Sequence, residues 1–114
     1  MSTTADWVNE AIWDGNLDGV LILPTEVLEG INFELLLNEA TKQGRIELCE
    51  LAVEKGAREF NTALYHAAHS GHLEICEWLV EKGAREFDRA LQHASDPAVR
   101  DFLKRAKNQY EEED

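Results

Sequence analysis

An internal repeat is the feature that most limits how this chain can fold. Sixteen of 24 positions are identical between residues 44–67, GRIELCELAVEKGAREFNTALYHA, and residues 71–94, GHLEICEWLVEKGAREFDRALQHA. The repeat continues more weakly towards the start of the chain. Residues 8–18 align with residues 64–74 if two residues are inserted before the next repeat. A regular centre with divergent ends is typical of a stacked repeat array, whose end repeats must present a polar outer face.

The array is expected to form a single domain over residues 1–109. Its four repeats are placed at about residues 5–31, 32–58, 59–85 and 86–109, and residues 110–114 are assigned to an acidic tail. A length of 114 residues suits one domain and is too short for two domains with separate cores.

Each repeat is predicted to contain two short helices joined by tight turns. In repeat three, Asn61 or Thr62 is the expected N-cap of the first helix, and Gly71 ends that helix. The second helix is expected at about residues 72–82, with Gly83 just beyond its end. Helices of about ten residues are unstable alone, so packing against neighbouring repeats must stabilise them.

The two ends of the chain depart from this pattern. Asp96 and Pro97 predict an N-cap and a first helical residue, followed by a C-terminal capping helix. Residues 19–24, GVLILP, form either a short helix or a strand, because so short an apolar run has no decisive period.

Repeat three resembles an ankyrin repeat. The residues that match the family pattern are Thr62, Leu64, Ala67, Ala68, Gly71, His72, Leu73, Glu74, Leu79, Gly83 and Ala84. The chain departs from the pattern at Ala63 and, one repeat later, at Ala90, which stand where the family has proline. The resemblance implies an all-α solenoid of about four stacked helix-turn-helix repeats. Because the repeat has about 27 residues rather than about 33, the segment that builds the family's β-hairpin finger is missing, and no finger is expected.

The resemblance also implies a non-enzymatic module that binds a protein partner through the concave face of the first helices. The outward positions of those helices, and hence the expected partner-binding residues, are Glu10, Trp13, Asp14, Glu39, Lys42, Gln43, His66, His69, Ser70 and His93, with Asp96 next to His93 in the fourth repeat. Trp13 shares its column with polar residues. It is therefore either an exposed interface anchor or a cap folded over the end of the first repeat.

The charge of the chain limits the class of partner. Twenty-three acidic and eleven basic residues give a net charge of −12, and no Lys or Arg occurs in residues 1–41. This argues against a nucleic-acid ligand and against an anionic membrane surface. The acidic surface either serves solubility alone or steers a partner with a basic surface towards the chain. We expect a monomer or a weak homodimer.

Chemistry at the histidines or cysteines is not expected. His66 and His93 share a column, but helices stack about 8–10 Å apart, so ligands from successive repeats converge poorly. His72 is better explained as the family's structural histidine near the turn. Cys49 and Cys76 are expected to be reduced core residues. The sequence therefore predicts no cofactor, no metal and no catalytic site.

Six glutamates on the second helices suggest a rival function. They recur at helical spacing and so form an outward stripe on the convex side: Glu47, Glu50, Glu54, Glu74, Glu77 and Glu81. The stripe is either a solvated surface or an imitation of nucleic-acid charge. In the second case the chain is an inhibitor or immunity-type protein that blocks a basic, nucleic-acid-handling enzyme. The start of the chain carries no signal-peptide pattern, and we expect a cytoplasmic protein.

Overall fold

Helices are the only regular elements in the part of the chain that the structure describes. The computed structural model describes residues 4–17, 19, 20 and 30–111, with no strand among them. The helices are α1 (Thr4–Trp13), α2 (Phe33–Gln43), α3 (Ile46–Glu54), α4 (Phe60–Ser70), α5 (Leu73–Lys82), α6 (Phe87–His93) and α7 (Pro97–Glu111). The predicted all-α fold without a β-hairpin finger is confirmed over these residues. Most of residues 19–24, where helix and strand both remained open, lies outside the described residues.

The chain forms two compact bodies. The N-terminal body contains α1, α2 as far as Ala40, and α3. The C-terminal body contains residues Thr41–Gly44 together with α4, α5, α6 and α7.

The turn that follows the first helix has the same backbone geometry in the first three repeats. Its glycine has a positive φ, which is 84° at Gly15, 75° at Gly44 and 81° at Gly71. In each turn the amide of the next residue donates to the carbonyl five residues before it, over 2.8–2.9 Å. Residues with a Cβ atom avoid this left-handed region. The first interval between these glycines exceeds the second by the two residues that the sequence alignment inserted.

His72 occupies the space that a side chain at Gly44 would need. Its Nε2 atom lies 3.1 Å from the carbonyl oxygen of Lys42, so the tautomer protonated on Nε2 donates a hydrogen bond there. A Cβ atom added at Gly44 would lie 2.7 Å from the imidazole ring. His72 thus has a structural role at the turn, as the resemblance implied.

An arginine side chain closes the linker between repeats. Nη1 of Arg58 donates to the carbonyls of Val53 and Ala57, over 2.9 and 2.7 Å. One repeat later, Nη1 of Arg85 makes the equivalent two bonds, each of 2.8 Å. The last carbonyls of a helix have no partner within the helix. The arginine therefore adds a second hydrogen bond to a carbonyl in the last turn of α3 or α5, and it also binds a carbonyl of the linker that follows.

A side chain of the preceding first helix binds the backbone amide of the same arginine. The carboxylate of Glu34 accepts from the amide of Arg58, over 2.8 and 3.2 Å. Asn61 Oδ1 accepts from the amides of Arg85 and Glu86, over 2.7 and 3.2 Å. Each short linker is therefore tied to the helix that begins the repeat before it.

The prediction of Asn61 or Thr62 as the N-cap of α4 is wrong. The helix begins earlier, at Phe60, and its N-cap residue Glu59 makes no side-chain capping bond. Asn61 is therefore already inside the helix, and its side chain serves the next linker instead.

Small and branched side chains recur in the core of each body. Leu37, Ala40 and Cys49 are fully buried in the N-terminal body. Leu64, Ala67 and Cys76, at the same positions of the next repeat, are fully buried in the C-terminal body. The hydrophobic period of the repeat thus fills the core at the expected positions.

The start of α7 follows the sequence prediction. Asp96 Oδ1 accepts from the amides of Ala98 and Val99, over 2.9 and 3.2 Å, and Pro97 is the first helical residue. Asp96, taken from the sequence as an outward binding position, is thereby used as a helix cap. The helix continues through Glu111, so residues 110 and 111, which we assigned to the tail, are helical.

Gly44→Ala should destabilise the fold more than Gly71→Ala. Both glycines have nearly the same φ, so both variants incur about 1–2 kcal/mol of backbone strain. Only at Gly44 does the new Cβ meet the His72 ring, whereas at Gly71 the nearest atom lies at an ordinary 3.7 Å. We expect Gly44→Ala to lower the free energy of unfolding by about 1 kcal/mol more than Gly71→Ala does, which is the value of a lost hydrogen bond. Urea denaturation measures this difference. In a His72→Ala background the excess should disappear. Equal losses in the two single variants would contradict this account of the turn.

Candidate functional site

Two exposed tryptophans lie on the outer side of α1. Trp7 is 65% exposed and Trp13 is 72% exposed, while Val8 and Ile12 on the opposite side of the helix are buried. At about 100° per residue, an arc runs from Trp13 through Glu10 and Asp14 to Trp7. Glu10 and Asp14 are also exposed. Trp13 is therefore not folded into a cap, and the helix presents an outer face of tryptophans and carboxylates.

This face contains a shallow depression. Trp7 forms one side, Glu10 and Asp14 supply carboxylates, and Ala11 and Asn16 complete the lining of a volume of about 240 Å³. Trp7 was not predicted as a site residue. Its position three residues before Glu10 and seven before Asp14 is nevertheless a helical spacing.

The potential of the depression is negative for two reasons. Its carboxylates carry negative charge, and they lie at the C-terminal end of α1, where the helix dipole is also negative. The last turn of α1 contains no basic residue. A positively charged group bound near this end of the helix would therefore be stabilised.

Asn9 fixes α1 within the N-terminal body. Its Oδ1 accepts from the amide of Asn32 over 2.7 Å, and its Nδ2 donates to the carbonyl of Gly30 over 3.0 Å. Asn32 in turn caps α2, because its Oδ1 accepts from the amide of Leu35 over 3.0 Å. These bonds anchor α1 to the start of α2 within the N-terminal body.

A second group of predicted residues meets around Tyr65 in the C-terminal body. The Tyr65 ring centroid lies 5.1 Å from that of His66, 6.3 Å from that of His69 and 4.7 Å from that of His93. The guanidinium of Arg89 lies 4.9 Å from the same ring. Tyr65 and Arg89 were not predicted as site residues, because they lie outside the columns taken as the outward positions of the first helices.

Histidines of α4 and α6 approach one another in the C-terminal body. The ring centroids of His69 and His93 are 6.4 Å apart, and the Tyr65 ring contacts both of them. No group of three or more His, Cys, Asp or Glu side chains in the described residues has the geometry to hold a metal ion.

The remaining predicted positions lie near the ends of first helices. Ser70 is exposed at the end of α4, and Lys42 and Gln43 are exposed at the end of α2. Glu39 is half-buried one turn earlier. Glu39 belongs to the N-terminal body, while Lys42 and Gln43 belong to the C-terminal one.

The six glutamates of the rival surface are exposed, as their spacing predicted. Glu47, Glu50 and Glu54 lie on α3, and Glu74, Glu77 and Glu81 lie on α5. Each body therefore has an acidic second helix in addition to its first-helix residues.

The comparison with protein families identifies the class of the chain. Residues 8–90 match the family model of ankyrin repeats, in three copies. The chain belongs to the ankyrin-repeat family. No curated protein and no solved structure matches it.

The ankyrin-repeat match covers most of the regular part of the chain. It extends from the buried Val8 of α1 to Ala90 in α6, and so leaves α7 outside. Ankyrin repeats are protein–protein interaction modules, and the family is typically non-enzymatic. No helix among the described residues is long and apolar enough to cross a membrane.

The two cysteines of this ankyrin-repeat chain are free and buried. Burial raises the pKa of each thiol from 9.0 to about 12, because the thiolate loses its solvation in the core. The thiolate is the reactive form, so both side chains are chemically protected.

Both cysteines should therefore react slowly with a thiol reagent in the native protein. At pH 8, a pKa of about 12 in place of 9.0 lowers the thiolate fraction by about three orders of magnitude. Labelling followed by mass spectrometry should show little modification in native buffer and rapid double modification in urea. Rapid native labelling of both residues would show that α3 and α5 do not bury these positions.

Proposed function

We propose that this ankyrin-repeat chain binds a protein with a basic surface through the acidic, tryptophan-bearing outer face of α1. One observation carries the proposal. Trp7 and Trp13 are the large hydrophobic side chains that remain exposed among the described residues, and they flank Glu10 and Asp14. Tryptophan is enriched among the residues that dominate binding energy at protein interfaces.

The charge of the chain supports a basic partner. No Lys or Arg in residues 1–41 offsets the acidic side chains of this region, and the whole chain has a net charge of −12. Complementary charge raises the rate of encounter with a basic protein, and salt reduces that effect over about 10 Å at 0.1 M.

The first helices of the later repeats supply further candidate contacts. The tyrosine-centred histidines of α4 and α6 combine aromatic area with hydrogen-bonding groups, and Ser70 adds an exposed hydroxyl. Lys42 and Gln43 at the end of α2, and Glu39 before them, belong to the same proposed set. Aromatic and polar side chains together are typical of interface residues.

The exposed glutamates of α3 and α5 support one rival, the charge-mimicking inhibitor. In that case a basic, nucleic-acid-handling enzyme would bind the second helices, and the tryptophans of α1 would be dispensable. The two functions predict different mutational sensitivities.

Trp13→Ala should speed dissociation of the partner. Loss of an interface anchor costs about 2 kcal/mol or more, and the salt dependence of association should remain. The double variant Glu10→Lys, Asp14→Lys should do the opposite, slowing association with a smaller effect on dissociation. Both rate constants can be measured by surface-based binding kinetics at two salt concentrations, once a partner has been cross-linked and identified.

The matched control is Glu47→Lys, Glu50→Lys on α3. It makes the same change in net charge within the same body, and it should leave dissociation unchanged. If this control abolishes binding while Trp13→Ala binds like wild type, the α1 surface is wrong and the inhibitor hypothesis is favoured.

A further inference from the structure

We propose that the depression beside Trp7 is a subsite for one arginine side chain of the partner. The guanidinium would stack on the Trp7 indole and donate hydrogen bonds to Glu10 and Asp14. The inference rests on the proposed function in placing the partner on α1, and it names the side chain that this surface recognises.

The shape of the depression fits a side-chain head group. Trp7 and Glu10 lie three residues apart on α1, and Asp14 directly follows the helix, with its amide donating to the carbonyl of Glu10 over 3.0 Å. At helical spacing, the Cβ atoms of residues four apart are about 5–6 Å from one another. The small side chain of Ala11 leaves open space beside the indole. The volume of about 240 Å³ is below the range of about 300–1,000 Å³ that is usual for small-molecule pockets. It is suited to a single side chain.

The site lacks a cation of its own. Glu10 and Asp14 are like charges four residues apart, which destabilises a helix, and the negative end of the α1 dipole adds to the cost. No Lys or Arg in residues 1–41 relieves this, and no described residue forms an ion pair with either carboxylate. A bound cation would remove the repulsion.

The combination of groups favours arginine over lysine. A guanidinium is planar, stacks on an aromatic ring and has five donors, so it can bind two carboxylates while stacked. An ammonium is compact and more strongly hydrated. The chain already makes this contact elsewhere, since the guanidinium of Arg85 lies 3.9 Å from the ring centroid of Tyr110.

The test uses the full chain and short peptides as probes. The probe is an acetylated, amidated Gly-Gly-Arg-Gly-Gly peptide, compared with otherwise identical peptides containing lysine, trimethyllysine or citrulline. Citrulline keeps the shape of arginine without its charge. Binding is followed by the indole N–H resonances of the three tryptophans in two-dimensional NMR, assigned by single Trp→Phe variants. Trp78, on α5, serves as the internal reference.

The arginine peptide should shift the Trp7 resonance saturably, with little effect on Trp78. The lysine peptide should bind more weakly, and the citrulline peptide should cause no saturable shift. Glu10→Gln and Asp14→Asn should each weaken arginine binding about two- to fivefold, the range of an exposed ion pair. Trp7→Leu, followed by the backbone amides of residues 10 and 11, should weaken it by a similar factor. The charge-matched controls Glu47→Gln and Glu50→Gln should have no effect.

Three results would overturn the subsite. These are equal binding of the citrulline peptide, tighter binding of either lysine peptide, and an equal loss in the α3 controls. If the subsite fails in this way while Trp13→Ala still speeds dissociation of the partner, the proposed function stands without it. If the arginine peptide binds as described but the α1 variants leave the partner unaffected, the subsite stands and the proposed partner surface is wrong.

Discussion

In the short linker between repeats, backbone polar groups are paired by an arginine side chain of the linker itself and by an acceptor side chain 24 residues earlier. Arg58 and Arg85 each take part in both kinds of hydrogen bond, one residue in each linker. The guanidinium donates to carbonyls at and just after the end of the second helix. The backbone amide donates to a side chain of the preceding first helix, Glu34 for Arg58 and Asn61 for Arg85. A repeat this short therefore replaces a hairpin finger with one arginine and one acceptor side chain.

The sequence predicted the elements of this fold better than their connections. The repeat period located the helical hairpins, the turn glycine Gly71 and the buried Cys49 and Cys76, because each depends on local conformation or on helical periodicity. The partner of Asn61 was not predictable in the same way. An amide side chain near a helix start can cap its own helix or bind a neighbouring segment, and only the folded packing decides between the two.

The candidate site shows the same division. Glu10, Trp13 and Asp14 were found by their register, and the structure exposes all three. Trp7 was missed because it lies just before residues 8–18, the part of the first repeat that aligns with the later ones. Tyr65 was missed because it lies outside the predicted outward columns, and its contact with His93 joins two helices, which no single repeat reveals. Local pattern therefore identified candidate residues, whereas their grouping depended on the fold. Asn9 connects the local pattern with the fold, because its bonds to Gly30 and Asn32 anchor α1, the helix that carries the tryptophan face.

Amide hydrogen exchange at Arg85 tests the linker most directly. Arg85 lies between α5 and α6, outside any helix, so an ordinary exposed turn would leave its amide to exchange rapidly. Because Asn61 Oδ1 accepts from this amide over 2.7 Å, we predict protection comparable to that of amides in α4. In Asn61→Ala the protection of Arg85 and Glu86 should fall by at least about tenfold, the equivalent of one hydrogen bond, with a smaller change in the middle of α4. Rapid exchange of Arg85 in the wild type, or an unchanged rate in Asn61→Ala, would contradict the claim that Asn61 binds the linker to the preceding first helix.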